Sequence, residues 1–286
     1  MNKSKWTGER LETFVKNETT IEHLHRYGLT LNFIEDCTVL DLACGNGYGS
    51  NLMAQYAKEV IGVDIDESVI SYAKKTYISS NLQFEIGSAE KTNLESRYFD
   101  IVVSFETIEH HDRHEEMLEE IKRVLKPGGI LIISSPDKYY YSDVRSFKNK
   151  YHIKELYEDE FKGLMKKHFI NCIFYKQKSS YFSIIAQENS NTFPNRLLSG
   201  DFGTIKEIND WKPLYWIGVC SDIEIPDNKI TPLFDGSVLY ESIQGNIHQL
   251  YRSSYSYKLG HFMLSPFRFF NMLFSKIRNS IKKSEN

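Results

Sequence analysis

The sequence predicts a doubly wound, mostly parallel α/β domain followed by a C-terminal helical tail. Short and almost wholly apolar segments recur along the first half of the chain, and strands of that composition are buried on both faces of a sheet. Segments with helical apolar spacing alternate with them, the pattern of parallel strands joined by helices. A glycine-rich turn follows the first strand, where an open α/β sheet forms its ligand crevice.

Each element follows from its own pattern. Ile21, Leu24, Tyr27, Leu31 and Ile34 have helical spacing and predict a helix over 18–35. Thr38–Leu42 and Val60–Asp64 are apolar strands, with a helix predicted over 51–58 between them. A helix over 68–77 and a strand over 82–86 come next, then a strand over 99–104 and a helix over 114–125. Lys126-Pro127-Gly128-Gly129 stops that helix before a strand at 130–134. Beyond Pro136 the rhythm loosens. A helix is expected over 158–168, and 169–175, 182–186 and 214–220 are candidates for antiparallel strands at the sheet edge. Asn, Ser, Gly and Pro mark 188–212 as a loop insertion.

Composition narrows the function classes. The chain is 41% hydrophobic and 26% charged, enough for a substantial core. A net charge of −3 provides no basic field, so no nucleic-acid partner is expected. Cys37, Cys44, Cys172 and Cys220 form no CxxC pair, so neither a metal knuckle nor a disulfide framework is expected. With no apolar run at the N-terminus and none long enough to span a bilayer, the expected location is cytoplasmic.

The turn reads Asp41-Leu42-Ala43-Cys44-Gly45-Asn46-Gly47-Tyr48-Gly49. Gly45 and Gly47 let the backbone come close to a ligand, and the following helix presents its N–H groups. Asp64, at the end of the next strand, is placed to accept hydrogen bonds from both hydroxyls of a ribose. A dinucleotide fingerprint would be GxGxxG; here the spacing is GxGxG with an acid just before it. An acid there suits a cationic amino-acid end, as in S-adenosylmethionine, better than a pyrophosphate.

VLDLACGNGYGS resembles motif I of the class I S-adenosylmethionine-dependent methyltransferases, and VIGVDID resembles their second motif. Phe99–His110 is similar to their fourth-strand segment and Leu125–Gly129 to the turn before their fifth strand. The resemblance implies a Rossmann-like fold and S-adenosylmethionine as cofactor. It implies that Asp41, Ala43, Gly45 and Gly47 line the methionine end, that Asp64 holds the ribose and that Ile65 packs on the adenine. Phe105 and Glu106 would sit beside the methionine moiety. Many members have Gly-Asp-Ala after the third strand; here it is Gly87-Ser88-Ala89, which leaves the adenine edge to the Ser88 hydroxyl or to the Ala89 N–H alone.

A narrower resemblance is to bacterial methyltransferases that tailor surface glycans. It rests on Thr7-Gly8-Glu9-Arg10 with His23–Tyr27, on Phe105–His110 and on Asn149–Leu156. It implies an N-terminal lid, with Arg26 or Tyr27 meeting the cofactor's carboxylate; the alternative is that Arg26 only caps or pairs on the helix surface. The acceptor would be a sugar, nucleotide sugar or glycan intermediate. Methyl transfer mainly requires alignment of the acceptor, and a hydroxyl acceptor also benefits from a base that titrates near neutrality. His110 and His152 are the candidates and Glu109 a weaker one, while His25, His111 and His114 read as surface or helix-start residues. Two alternatives remain: a small-molecule methyltransferase of lipid or quinone type, and a non-catalytic scaffold that keeps the fold.

The expected organisation is an N-terminal lid and helix (1–35), the methyltransferase domain (36–222) and a C-terminal extension (223–286). Residues 251–283 carry Arg252, Lys258, Arg268, Lys276, Arg278, Lys282 and Lys283 with no Asp or Glu. From Phe267 onward, Phe270, Leu273, Phe274, Ile277 and Ile281 fall opposite Arg268, Arg278 and Lys282. This basic amphipathic helix fits either peripheral contact with the inner face of an anionic membrane or an oligomer contact through 258–283.

Overall fold

The computed structural model describes residues 10–11, 13–14, 16–180, 197–208, 210–226, 233–239 and 253–259. Its strands fall where the apolar segments predict them: Thr38–Leu42 (β1), Glu59–Asp64 (β2), Leu82–Ile86 (β3), Phe99–Ser104 (β4) and Leu125–Pro136 (β5). Asn171–Gln177 (β6) and Tyr215–Ser221 (β9) complete a seven-stranded sheet in the order β3-β2-β1-β4-β5-β9-β6. β1 to β5 pair in parallel, and β9 runs antiparallel to both β5 and β6. The antiparallel strand is therefore inside the sheet, and the edge strand β6 runs with the parallel set. Leu198–Gly200 (β7) and Ile205–Glu207 (β8) form a separate small hairpin within the expected insertion.

Alternation along each strand assigns the two faces. Val39, Val60, Ile101, Val103 and Ile132 pack toward helices Glu18–Thr30 (α1), Tyr48–Met53 (α2) and Glu67–Thr76 (α3) through Tyr27, Met53, Ile70 and Ala73. Leu40, Leu42, Val63, Val102 and Leu131 pack on the other face against His114–Val124 (α4) and Glu158–His168 (α5), through Met117, Leu118, Ile121, Phe161 and Met165. Each such side chain contributes roughly 1.5–3 kcal/mol when fully buried, so covering both faces is what holds the sheet. The result is the Rossmann-like, doubly wound architecture.

Local chemistry sets the element ends. Asn17 caps α1 by accepting from the Thr20 N–H at 3.0 Å, while the Thr20 hydroxyl accepts from the Asn17 N–H at 3.3 Å. α1 ends at Thr30, short of the expected 35, because residues 31–33 turn the chain so that Ile34 enters the core. Asp66 caps α3. α2 begins at Tyr48 rather than 51, since Gly47, in the left-handed region at φ 81°, is itself the N-cap. β5 takes in the expected Lys126–Gly129 turn as an irregularity, with the register stepping from Phe99↔Leu125 to Ile101↔Ile130.

The chain divides into two compact units, residues 1–234 and 235–286. Ile225 is buried in the first unit and the Phe234 ring lies 5.7 Å from His25 of α1. In the second unit, the described residues include a helical stretch at 255–259. The expected strand at 182–186 and amphipathic helix from 267 lie outside the described residues. Among the described residues no helix is long and apolar enough to cross a membrane.

Gly49 makes a packing test. A Cβ on it would lie 1.9 Å from Tyr27 Cζ, and the Tyr27 ring is already wedged edge-on between Tyr48 and Phe105 at 5.6 and 5.2 Å. Gly49→Ala is expected to lower stability by roughly 1–3 kcal/mol, read as a lower urea midpoint. An unchanged midpoint would mean that α1 does not rest on α2 in this way.

Candidate active site

The C-terminal ends of β1, β2 and β4 open into a cavity of about 720 Å³. Ala43 and Gly45 line it from the glycine turn, both in the left-handed region at φ 63° and 54°. Asp64 lines it from the end of β2 and is buried. Its carboxylate accepts the N–H groups of Gly45 and Asp66, each at 3.0 Å. Arg10 approaches the same carboxylate at 3.5 Å and pairs with Asp66 at 3.0 Å. Asp41 and Gly47 sit behind the lining. Asp41 accepts from the Ser50 hydroxyl at 2.6 Å and from the Tyr27 phenol, and burial pushes its carboxyl up to about 7.

Past β2, Ile65 projects into the cavity mouth with 69% of its surface exposed. Gly87, Ala89 and Glu90 line the wall after β3. Ser88 is turned aside, its hydroxyl donating to Glu90 at 2.6 Å, so that Glu90 presents a carboxylate where Ser88 was expected.

Phe105 and Glu106 line the cavity beyond β4. Glu106 has φ 52°, a strained value for a side chain of its size. Reciprocal bonds with Ser134 of β5 hold it there: its N–H donates to the Ser134 hydroxyl at 3.0 Å, and that hydroxyl donates to its carboxylate at 2.7 Å. Tyr27 lines the cavity and Arg26 lies just behind it, only 1% exposed. The Arg26 Nε donates to Gln177 at 2.6 Å, and its guanidinium stacks 4.3 Å over the Tyr215 ring and lies 3.6 Å from Glu106. Burial works against the Arg26 charge, but Glu106, Tyr215 and Glu22 raise its pKa overall. The surface-pairing alternative for Arg26 is thereby overturned, because α1 turns this side chain into the protein.

Glu109, His110 and His152 come together in the cavity wall. The first two lie on a single 3-10 turn, Ile108–His110. His152 is brought to it by the N–H groups of Ile153 and Lys154, which donate to the Glu109 carbonyl at 2.8 and 3.1 Å. The two imidazoles meet edge to face at 5.2 Å. His110 Nδ1 bonds the Tyr151 carbonyl at 3.0 Å, and His152 Nδ1 bonds Glu155 at 2.5 Å. Burial and the neighbouring Glu106 charge push the Glu109 carboxyl well up. His114 starts α4 as expected but is buried; His111 lines the cavity, not an outer surface.

The family described as "Methyltransferase domain" matches residues 34–210, more than half of the chain. This chain belongs to that family. A relative from Mycolicibacterium smegmatis, named "Probable S-adenosylmethionine-dependent methyltransferase/", is 33% identical over 45% of this chain and 49% of its own length. A ubiquinone biosynthesis O-methyltransferase of Coxiella burnetii is 31% identical over 36% of this chain and 44% of its own. A solved SAM-dependent methyltransferase from Archaeoglobus fulgidus shares the fold with a TM-score of 0.51, at 21% identity over 71% of this chain and 93% of that one. The chain spans about half the length of the curated relatives it matches.

The methyltransferase domain is of class I, and its cofactor is S-adenosylmethionine. The cavity fits that group. Asp64, Glu90 and Glu106 line it beside Arg10 and Lys150, and these carboxylates favour a sulfonium cation over a pyrophosphate. The glycine turn leaves the space beside Gly45 open: a Cβ there would meet nothing within 4 Å.

Several lining residues escaped the motif reading. Arg10 and Leu11 line the cavity; both belong to the expected N-terminal lid and helix (1–35), of which residues 1–9, 12 and 15 lie outside the described residues. His23 lines it too; its Nδ1 bonds the Tyr48 hydroxyl at 2.9 Å, and burial drives its pKa well down. Arg10 and His23 fall within the segments 7–10 and 23–27, but nothing in residue type singles either out as lining the cavity. Tyr215 lines the cavity from β9 and has no local motif to mark it.

Asp41 gives a pH prediction. Its raised pKa contributes stability that is present below the unfolded value near 3.8 and lost as pH rises through about 7. Asp41→Asn is therefore expected to raise the melting temperature of the ligand-free chain at about pH 8. In the natural protein a cationic ligand favours the charged form against the repulsion of Asp64, so affinity for S-adenosylmethionine is expected to climb between about pH 5.5 and about pH 8. Titration calorimetry across that range checks it; a flat profile would count against Asp41 ionising on binding.

Proposed function

We propose that this protein transfers a methyl group from S-adenosylmethionine to a hydroxyl of a sugar, nucleotide sugar or glycan intermediate. The observation that carries the transfer reaction is the single cavity that joins Asp64 and the glycine turn at one end to Glu109, His110 and His152 at the other. When bound, S-adenosylmethionine supplies an electrophilic methyl group on a good leaving sulfur. The chain's part is to orient, to exclude water and to manage the acceptor's proton. Asp64 holds the ribose. Asp41, behind Ala43, Gly45 and Gly47, sets the charge at the methionine end. Ile65, Glu90 and the Ala89 N–H frame the adenine, with Ser88 acting through Glu90. Tyr27, Phe105 and Glu106 border the methionine moiety, and Arg26 acts from behind them.

The acceptor end favours a polyhydroxyl ligand. Asn149, Lys150, Tyr151, Tyr141 and Tyr215 line it with amide, ammonium and phenol groups, which bond to and stack on sugars. A second reading, a phenolic acceptor of quinone type, is favoured by the named activity of the Coxiella relative. Peripheral membrane contact or oligomer contact through 258–283 remains a proposal from charge pattern alone, and liposome co-sedimentation with and without 258–286 separates the two.

Calorimetry is expected to show one S-adenosylmethionine per chain, with Asp64→Asn weakening it about 10- to 100-fold through the lost charge-assisted bonds. Absence of binding to both S-adenosylmethionine and its demethylated product would favour a scaffold and overturn the enzyme reading. Radiolabelled methyl transfer to nucleotide sugars and monosaccharides, with catechols and quinols in parallel, tests the acceptor. Label confined to the phenols would replace the sugar reading with the second one.

A further inference from the structure

We propose that Glu109, His110 and His152 form a binding site for a first-row divalent cation, which seats the acceptor's reacting oxygen; this rests on the methyltransferase reading above. Each of the three offers a ligand atom, and those atoms lie within 4.8 Å of one another. Neighbouring ligands bound at about 2.0–2.2 Å lie about 3–3.6 Å apart, so the side chains need to close by about an ångström when the ion binds.

The buried carboxylate points to a ligand independently. Glu109 is 1% exposed, and neither of its carboxylate oxygens has a hydrogen-bond partner among the described residues. A buried polar group with no hydrogen-bond partner costs stability, the more so when it carries charge. Arg26 is near enough to feel it, yet its terminal nitrogens make no hydrogen bond to it, and Glu106 adds further negative charge. A cation between Glu109 and the imidazoles compensates all of this.

The histidines are oriented for that role. Metal-binding imidazoles generally anchor their second nitrogen on a carbonyl or carboxylate. His110 anchors Nδ1 on the Tyr151 carbonyl and His152 anchors Nδ1 on Glu155, which assigns Nε2 as the ligand atom of each ring in the proposed site. Asn149 Nδ2 meets the Nε2 of His152 at 2.9 Å and must swing aside when a cation binds. One carboxylate and two imidazoles suit Mn²⁺ or Zn²⁺ better than Ca²⁺. Three protein ligands leave positions open for two neighbouring oxygens of the acceptor. The cation lowers the pKa of the hydroxyl it holds, and the released proton passes to solvent water. The histidine pair would thus manage the acceptor's proton by holding a cation, not by accepting the proton.

The test uses the full chain, stripped with EDTA and titrated with MnCl₂ by electron paramagnetic resonance of the free ion. The expected result is one Mn²⁺ per chain, with affinity at least about tenfold weaker in Glu109→Gln, His110→Ala and His152→Ala. Asp64→Asn, which removes a cofactor contact, should bind Mn²⁺ normally. S-adenosylmethionine binding by each variant reports that it is folded. Failure to bind Mn²⁺ or Zn²⁺, or an affinity unmoved by Glu109→Gln, overturns the cation site. If the stripped chain still binds S-adenosylmethionine and transfers methyl at full rate in EDTA, the cation role fails while the methyltransferase reading stands. Loss of S-adenosylmethionine binding by the natural protein would instead sink that reading.

Discussion

The backbone pairing that holds β1 between β2 and β4 governs the site. Asp41 is level with Gly62 on one side and with Val103 on the other, and Leu42 pairs with Val63. The helices α2 and α3, which follow β1 and β2, cover one face, and α4, which follows β4, covers the other. The connections therefore diverge and leave a crevice at the strand ends. A slip of one residue would turn Asp41 to the opposite face and move Asp64 away from the Gly45 N–H it accepts.

Within that frame the cavity is an electrostatic device with two ends. At the cofactor end, carboxylates are held by backbone N–H groups, by Ser50 and by Arg10. Beyond β4, Glu106 is kept in a strained backbone conformation by Ser134, and Arg26 is buried against Tyr215 and Gln177. These features cost stability, and the apolar packing on both sheet faces offsets them. Strain and buried charge concentrated at one place are what a site requires and a core avoids.

Much of this was legible in the sequence. The strands could be placed because nearly every residue in them is apolar, and Gly45 and Asp64 because a strand, a tight turn and an acid occur in fixed order. The start of α2 was misplaced because Gly47 both closes the turn and caps the helix, a dual role that spacing does not reveal. The place of β9 inside the sheet was not legible, since its partners β5 and β6 are distant in the chain and similar in composition. Arg26 lies on the inward face of α1, yet a charge at such a position reads as surface until a stacking ring and a carboxylate are seen beside it. His110 and His152 were each visible, but the backbone bonds from Ile153 and Lys154 that unite them leave no trace in residue type. Glu109 is the weaker candidate by residue type, and residue type does not show that its carboxylate is buried without a hydrogen-bond partner among the described residues.

A crystal structure of the full chain with S-adenosylhomocysteine tests the central claim most directly. The account predicts the nucleoside along the glycine turn, with both ribose hydroxyls on the Asp64 carboxylate and Arg10 displaced from it. A ligand bound elsewhere, or one bound in the cavity with the Arg10–Asp64 pair intact and the ribose away from Asp64, would contradict it.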